Sequence, residues 1–229
     1  MGTHLAIPHT TTLYDKYSIN AKKILINIDN DELKNTNVKF NFKLQDDLKN
    51  FLKWSNNQSK IKNFKWHNLN IFKEMNWYEP IKTKKPNSNK FIRLLTNSIQ
   101  GKTCIIADGG GTALYSTFQS SIIKKNNKLV CSSSISSMGT GLAETIGVLK
   151  SKKFQNHICI IGDGSFLMNI QDLQTMTNEK MNIVIIVVNN NGYLAIRHTQ
   201  KEFLNKRYYG THPNYSLSLP NFEKVVKGF

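Results

Sequence analysis

Apolar residues along this chain come in short unbroken runs separated by amphipathic stretches, and the two patterns alternate. Residues 24–28 are apolar but for Asn27, rich in β-branched side chains, and end in the acidic cluster Asp29, Asp31 and Glu32, which predicts a strand running into a helix start. From 34 to 87 the pattern weakens into lysine and asparagine. Trp54, Trp66 and Trp77 are irregularly spaced there, and Pro80 and Pro86 close the stretch, so a helix followed by a linker is predicted. Beyond Pro86 the texture changes. Phe91, Ile92, Leu94, Leu95 and Ile99 keep a helical spacing, and an apolar strand at 103–107 then stops at Asp108 and three glycines. A helix from Thr112, a strand at 129–131, a helix over 139–149 and a strand at 158–161 follow. Residues 183–188 are six consecutive β-branched apolar residues, the pattern of a central strand covered on both faces. Strands and helices in turn predict an α/β fold, a doubly wound parallel sheet with crossover helices, with a domain boundary near residue 87.

Composition narrows the function classes. At 229 residues, 39 % of them hydrophobic, the chain can bury a sizeable core, and no apolar run approaches the ~20 residues of a membrane helix. Residues 1–12 lack the pattern of a signal peptide, so a cytoplasmic location is expected. Cys104, Cys131 and Cys159 are widely spaced and odd in number, which suits free thiols better than disulfides or a zinc site. The net charge of +16 raises a polyanion as partner. That charge is nearly all lysine spread along the chain. Only Arg93, Arg197 and Arg207 offer guanidinium forks, so a nucleic-acid partner is not the favoured reading.

Candidate chemistry sits at two strand ends. Gly162, Asp163, Gly164 and Ser165 follow one apolar run, and Asn189, Asn190, Asn191 and Gly192 follow the next. In an open α/β sheet the carboxyl ends of the strands border the ligand crevice, so both loops face one bound group. A carboxylate, an amide oxygen and a backbone carbonyl are hard oxygen donors suited to Mg²⁺ or Ca²⁺. Magnesium usually completes its octahedron with phosphate oxygens, while glycines let backbone amides approach a diphosphate and Ser165 adds a hydroxyl at a helix start.

With 24 residues between Gly-Asp-Gly and the asparagines, the arrangement resembles the thiamine-diphosphate motif. The intervening Ser-Phe-Leu-Met-Asn-Ile-Gln-Asp-Leu-Gln-Thr is similar to the acetolactate synthase group. The resemblance implies that Asp163, Asn190 and the Gly192 carbonyl hold Mg²⁺, which anchors the diphosphate of thiamine diphosphate bound by Gly162, Asp163, Gly164 and Ser165. Ser136-Ser137-Met138-Gly139-Thr140-Gly141-Leu142 is similar to the family segment whose methionine supports the bent cofactor. It implies Met138 for that role and the Ser136 carbonyl for the aminopyrimidine. The loop Asp108-Gly109-Gly110-Gly111-Thr112 stands where the family has its first diphosphate loop, implying Gly111 and Thr112. Residues 2–10 and 26–29 resemble the latter half of the family's Rossmann-like central domain. The expected division is thus 1–50 partial central domain, 51–86 linker and 87–229 diphosphate-binding domain. Asp29 suits an adenine-nucleotide ribose and equally an ordinary helix cap, so FAD stays open as a further cofactor.

Members of the group decarboxylate a 2-oxo acid and pass the acyl-anion equivalent to a second carbonyl compound. A glutamate on a separate pyrimidine-binding domain assists them. No residue here takes that glutamate's place, and only 37 residues follow Gly192. The expectation is therefore a chain cut short at both ends, or one that needs a complementary pyrimidine-domain subunit in a homo- or hetero-oligomer. An inactive cofactor-binding module and a basic nucleic-acid-binding protein are the alternatives. Arg197 and His198 suit either a substrate pocket or a solvated surface, and the tryptophans and His67 read as packing residues.

Overall fold

A computed structural model describes residues 5, 10, 13–58, 84, 86–132 and 135–229. The chain divides into two compact units, Met1–Met75 and Asn76–Phe229. In the first, strand β1 (Ile24–Asn27) leads through helix α1 (Asn30–Lys34) to strand β2 (Phe42–Gln45), which pairs with β1 in parallel, and helix α2 (Leu48–Asn57) follows. This is a small βαβ unit, with Leu25, Ile26, Leu33 and Val38 buried beneath it. Asp29 caps α1, its carboxylate accepting the Asp31 N–H at 2.8 Å. Asp29 thus serves as the helix cap that one of its two readings expected. Helix α2 runs through the first residues of the stretch read as linker. Trp54, read as a packing residue, is instead 57 % exposed, with its ring against Phe51 at 5.7 Å between centroids. Trp66, Trp77 and His67, and most of the 2–10 segment, lie outside the described residues.

The second unit contains helix α3 (Ser88–Ser98), strand β3 (Thr103–Ala107), helix α4 (Gly111–Ser120), strand β4 (Lys128–Val130), helix α5 (Thr140–Lys150) and strand β5 (Asn156–Gly162). Helices α6 (Asp163–Met168) and α7 (Asp172–Asn178), strand β6 (Val184–Val188), and helices α8 (Leu194–Phe203) and α9 (Phe222–Val226) complete it. The sheet is fully parallel in the order β4-β3-β5-β6. Strand β3 is buried at every position because it is interior to the sheet and covered on both faces.

Alternation along the strands sorts two cores. Ile105, Ile158 and Ile160 point toward Ile92, Ile99 and Ala113 of the α3–α4 face. Cys159 and Ile161 point toward Leu142, Phe166, Leu173 and Met176 of the α5–α7 face. Phe166 is 1 % exposed and meets Phe222 of α9 edge-on at 5.8 Å. Phe166→Ala is expected to cost about 3–5 kcal/mol, the range for emptying a buried aromatic site, read by chemical denaturation. Cys104 and Cys159 are buried free thiols and Cys131 is half-buried. Burial pushes Cys104 up to about 11 and Cys159 to about 12, so neither is a thiolate at neutral pH.

One expectation is corrected here. The run 183–188 predicts a central strand, yet among the described residues β6 lies at the edge of its sheet, with Val184 56 % exposed. A continuous apolar run reports cover above and below a strand and says nothing about its lateral neighbours.

Candidate functional site

The chain runs from β3 outward to β4, then returns past β3 to β5. The direction of winding therefore reverses between β3 and β5, and their carboxyl ends open a crevice there. Asp108 to Gly111 leave β3 at this point, Gly162 to Ser165 leave β5, and residues 189–192 leave β6 beside them. One cavity collects these loops. Gly111, Thr112, Met138, Gly162, Asp163, Gly164, Ser165, Asn190 and Gly192 all line it, so nine of the ten residues singled out from sequence converge. The tenth, Ser136, is just behind, its carbonyl 3.7 Å from where a Cβ on Gly110 would be. Sequence reasoning did not select Gly110, Tyr193, Leu194, Ala195 and Ile196, which also line the cavity. The last four follow the asparagines directly, and the helical register of α8 was the available signal.

Asp163 organises the centre. It is 2 % exposed; Oδ1 accepts the Gly164 N–H at 2.7 Å, and Oδ2 accepts those of Asn190 at 3.0 Å and Gly192 at 2.9 Å. A carboxylate on β5's end thus folds the loop after β6, 27 residues away in sequence. Charge-assisted bonds of this kind are about twice as strong as neutral ones. The loop turns left-handed at Asn191 (φ 61°) and Gly192 (φ 113°). Asn190 Nδ2 donates to Thr112 Oγ1 at 3.2 Å, tying this loop to the start of α4. Asn190 Oδ1 is buried and accepts no hydrogen bond, an acceptor aimed at something other than protein. The Gly192 carbonyl accepts the Leu194 N–H at 3.0 Å, which leaves its second lone pair.

Arg197, one turn into α8, reaches back over this loop. Its Nη2 donates to the Asn190 carbonyl at 3.0 Å and its Nη1 to the Asn191 carbonyl at 3.4 Å, while Nε is buried without a partner. His198 is exposed on the same helix. Sequence left Arg197 between substrate contact and solvated surface; the structure adds that it fastens the asparagine loop. Arg197→Ala is expected to cost about 1–2 kcal/mol and to speed amide exchange at Gly192, with Arg197→Lys failing to restore protection because one ammonium cannot replace the fork. A broader cavity of about 1220 Å³ adjoins the site through Thr112 and Asn190, bordered by Arg197, His198, Lys201 and His212.

The first loop presses against the methionine segment. A Cβ on Gly109 would be 2.1 Å from the Ser137 carbonyl oxygen, and one on Gly110 3.0 Å from Met138 Cγ. Tyr193 closes the other side, its ring so near that a Cβ on Gly164 would lie 2.3 Å from it. The donor set suits a hard cation. Asp163, Asn190 Oδ1 and the Gly192 carbonyl are all oxygens, and among the described residues no group of three or more His, Cys, Asp and Glu could hold a metal by itself. Three protein oxygens without a second carboxylate suit a cation that completes its shell with a ligand's phosphates.

Fold and site together define a doubly wound α/β domain with a ligand cavity at its topological switch point. The chain belongs to the thiamine pyrophosphate enzyme family: the model of that family's C-terminal TPP binding domain matches residues 109–229. The acetolactate synthase large subunit of Buchnera aphidicola subsp. Schizaphis graminum is 29 % identical over 232 residues, covering 96 % of this chain and 39 % of that protein. The acetolactate synthase large subunit of Porphyra purpurea is 33 % identical over 105 residues, 46 % of this chain and 18 % of that one. The thiamine diphosphate-dependent 4-hydroxybenzoylformate decarboxylase of Rhodococcus jostii RHA1 shares the fold, with a TM-score of 0.64 at 18 % identity over 91 % of this chain and 37 % of that one. The chain thus spans about two fifths or less of the length of these relatives. No described helix is long and apolar enough to cross a membrane.

Proposed function

We propose that this chain holds the diphosphate end of thiamine diphosphate through Mg²⁺ and serves a decarboxylation and carboligation of 2-oxo acids of the acetolactate synthase type. The observation that carries the reading is the buried, unpartnered Asn190 Oδ1 beside the buried Asp163 carboxylate at the switch point. Asp163, Asn190 and the Gly192 carbonyl are the metal's protein donors. Gly111 and Thr112 at the start of α4, and Gly162, Gly164 and Ser165 around the start of α6, bring backbone amides and hydroxyls to the diphosphate. Met138 supports the cofactor from the opposite loop, and the Ser136 carbonyl meets its aminopyrimidine. When bound, thiamine diphosphate supplies the carbanion and the electron sink for decarboxylation. The chain's own part is to fix the diphosphate, hold the methionine loop in place and exclude water beneath Tyr193.

Residues 1–50 are read as part of a central domain and 87–229 as the diphosphate-binding domain, working with a pyrimidine-binding domain on the same or another polypeptide. The similarity to acetolactate synthase large subunits over 96 % of the chain supports the reaction type. Mixing the chain with a pyrimidine-domain chain of the family, thiamine diphosphate, Mg²⁺ and pyruvate tests it. Release of CO₂ that requires all four additions is expected; CO₂ release unaffected by omitting this chain would refute the assignment.

A further inference from the structure

Gly192, whose carbonyl is one of the proposed cation donors, is held twice. Its N–H donates to Asp163 Oδ2 at 2.9 Å. Residues that follow α8 pack on its Cα: a Cβ on Gly192 would lie 2.2 Å from Leu217 Cδ2 and 2.9 Å from the Thr211 carbonyl oxygen. Glycine is also the residue whose peptide turns most freely, and Mg²⁺ demands near-ideal octahedral geometry from its donors. The Leu194 N–H already takes one lone pair of the Gly192 carbonyl at 3.0 Å, so a small rotation of this peptide would misdirect the other. A donor of this kind needs an external hold.

Residues 208–217 supply that hold as a wedge behind the donor loop, and the wedge is braced within itself. The Gly210 N–H donates to the Tyr215 carbonyl at 3.1 Å, and the Tyr215 N–H to the His212 carbonyl at 2.8 Å. Tyr208 and His212 both meet the Tyr215 ring edge-on, at 5.8 and 5.9 Å between centroids. Gln200 ties the wedge to α8 with both ends of its amide. Its Nε2 donates to the Tyr209 carbonyl at 3.2 Å, which orients the group and leaves Oε1 to accept the Thr211 hydroxyl at 2.5 Å. The same hydroxyl is 3.1 Å from the Tyr208 carbonyl, inside the wedge. Gln200 is 9 % exposed and Thr211 5 %, so water competes poorly for these bonds. Helix α8 therefore addresses the donor loop twice, directly through Arg197 on the Asn190 and Asn191 carbonyls, and through Gln200 and the wedge on Gly192.

We infer that Gln200 and Thr211 form a buried lock that seats the 208–217 wedge on Gly192 and so positions the Gly192 carbonyl for the cation. The positioning role rests on the cofactor reading above, whereas the lock does not. Neither side chain touches the cation; both act through the Gly192 backbone. Breaking the lock leaves every proposed donor in the chain and frees one of them to turn. Mg²⁺, with its strict octahedron, should lose more by this than Ca²⁺, which accepts irregular shells. General destabilisation of the domain would weaken both cations alike.

The test compares the full-length chain in wild type, Thr211→Val, Thr211→Ser, Gln200→Leu and the Thr211→Val/Gln200→Leu double variant. Valine keeps the shape of threonine without its hydroxyl, serine keeps the hydroxyl, and leucine keeps most of the bulk of glutamine without its amide. Chemical denaturation without ligand reads the lock: adding Thr211→Val to Gln200→Leu should shift the midpoint little further than Gln200→Leu alone. A shift equal to the sum of the two single shifts overturns the lock. Titration with thiamine diphosphate in Mg²⁺ and again in Ca²⁺ reads the positioning. Thr211→Val should lose about tenfold in affinity with Mg²⁺ and about threefold or less with Ca²⁺, and Thr211→Ser should bind close to wild type with both. Equal losses with the two cations, or no loss with either, overturn the positioning role. A wild type that binds no thiamine diphosphate with either cation sinks the cofactor reading and the positioning role with it, while the ligand-free denaturation still decides the lock.

Discussion

Asp163→Ala is expected to abolish magnesium-dependent binding of thiamine diphosphate and to destabilise the domain at the same time. The carboxylate is 2 % exposed and accepts three backbone N–H groups, from Gly164, Asn190 and Gly192. Truncation leaves three donors in a site that water reaches poorly, at about 1–3 kcal/mol for each one that stays unpaired, so a total loss of roughly 3 kcal/mol or more is expected. It also removes the one carboxylate in the donor set and releases the loop that presents Asn190. Affinity should drop by on the order of 100-fold or more. Asp163→Asn separates the two effects: its amide oxygen keeps part of the loop scaffold while the charge that attracts the metal is gone. Titration of both variants, alongside their denaturation curves, checks this. A full-affinity Asp163→Ala would remove Asp163 from the site.

The second large effect is Gly109→Ala. Its Cβ would be 2.1 Å from the Ser137 carbonyl oxygen and 2.6 Å from the Ser136 carbonyl carbon, both backbone atoms that cannot swing aside. Either the diphosphate loop or the methionine turn must move. Overpacking of this kind costs about 1–3 kcal/mol and occasionally more, and a backbone obstacle puts it at the upper end. Gly111→Ala in the same loop is the control: nothing lies within 4 Å of its Cβ, so only the left-handed φ of 61° opposes it, at about 1–2 kcal/mol. The expected outcome is a much larger fall in thermal midpoint for Gly109→Ala than for Gly111→Ala. Equal falls would mean that the two loops are not in fixed contact.

Sequence legibility followed the physics of each element. Strand β3 was readable to its ends because after Thr103 this interior strand is apolar throughout and Asp108-Gly109 stops it abruptly. Strand β2 was not read, although Phe40, Phe42 and Leu44 alternate with Asn41, Lys43 and Gln45: the strand is only four residues long, largely exposed and set in a lysine- and asparagine-rich stretch that masks the alternation. The two strand-end loops were legible because carboxylate, amide and glycine carry their chemistry in their identity. What those residues do to one another was hidden. Asp163 holding the loop after β6, Arg197 clasping two carbonyls of that loop and Asp108 capping α5 from 33 residues away depend on the strand order, which no local pattern encodes. Ser165 is a further case: besides lining the cavity it acts on the Asp108 carboxyl, a contact that no local pattern encodes.

The most direct test of the central claim is calorimetric titration of thiamine diphosphate into the wild-type chain, with Mg²⁺ and again with a chelator. A single site that appears with the metal and disappears with the chelator is the expected result. Binding of equal strength in both conditions, or a folded chain that takes up no thiamine diphosphate in the presence of Mg²⁺, would contradict it.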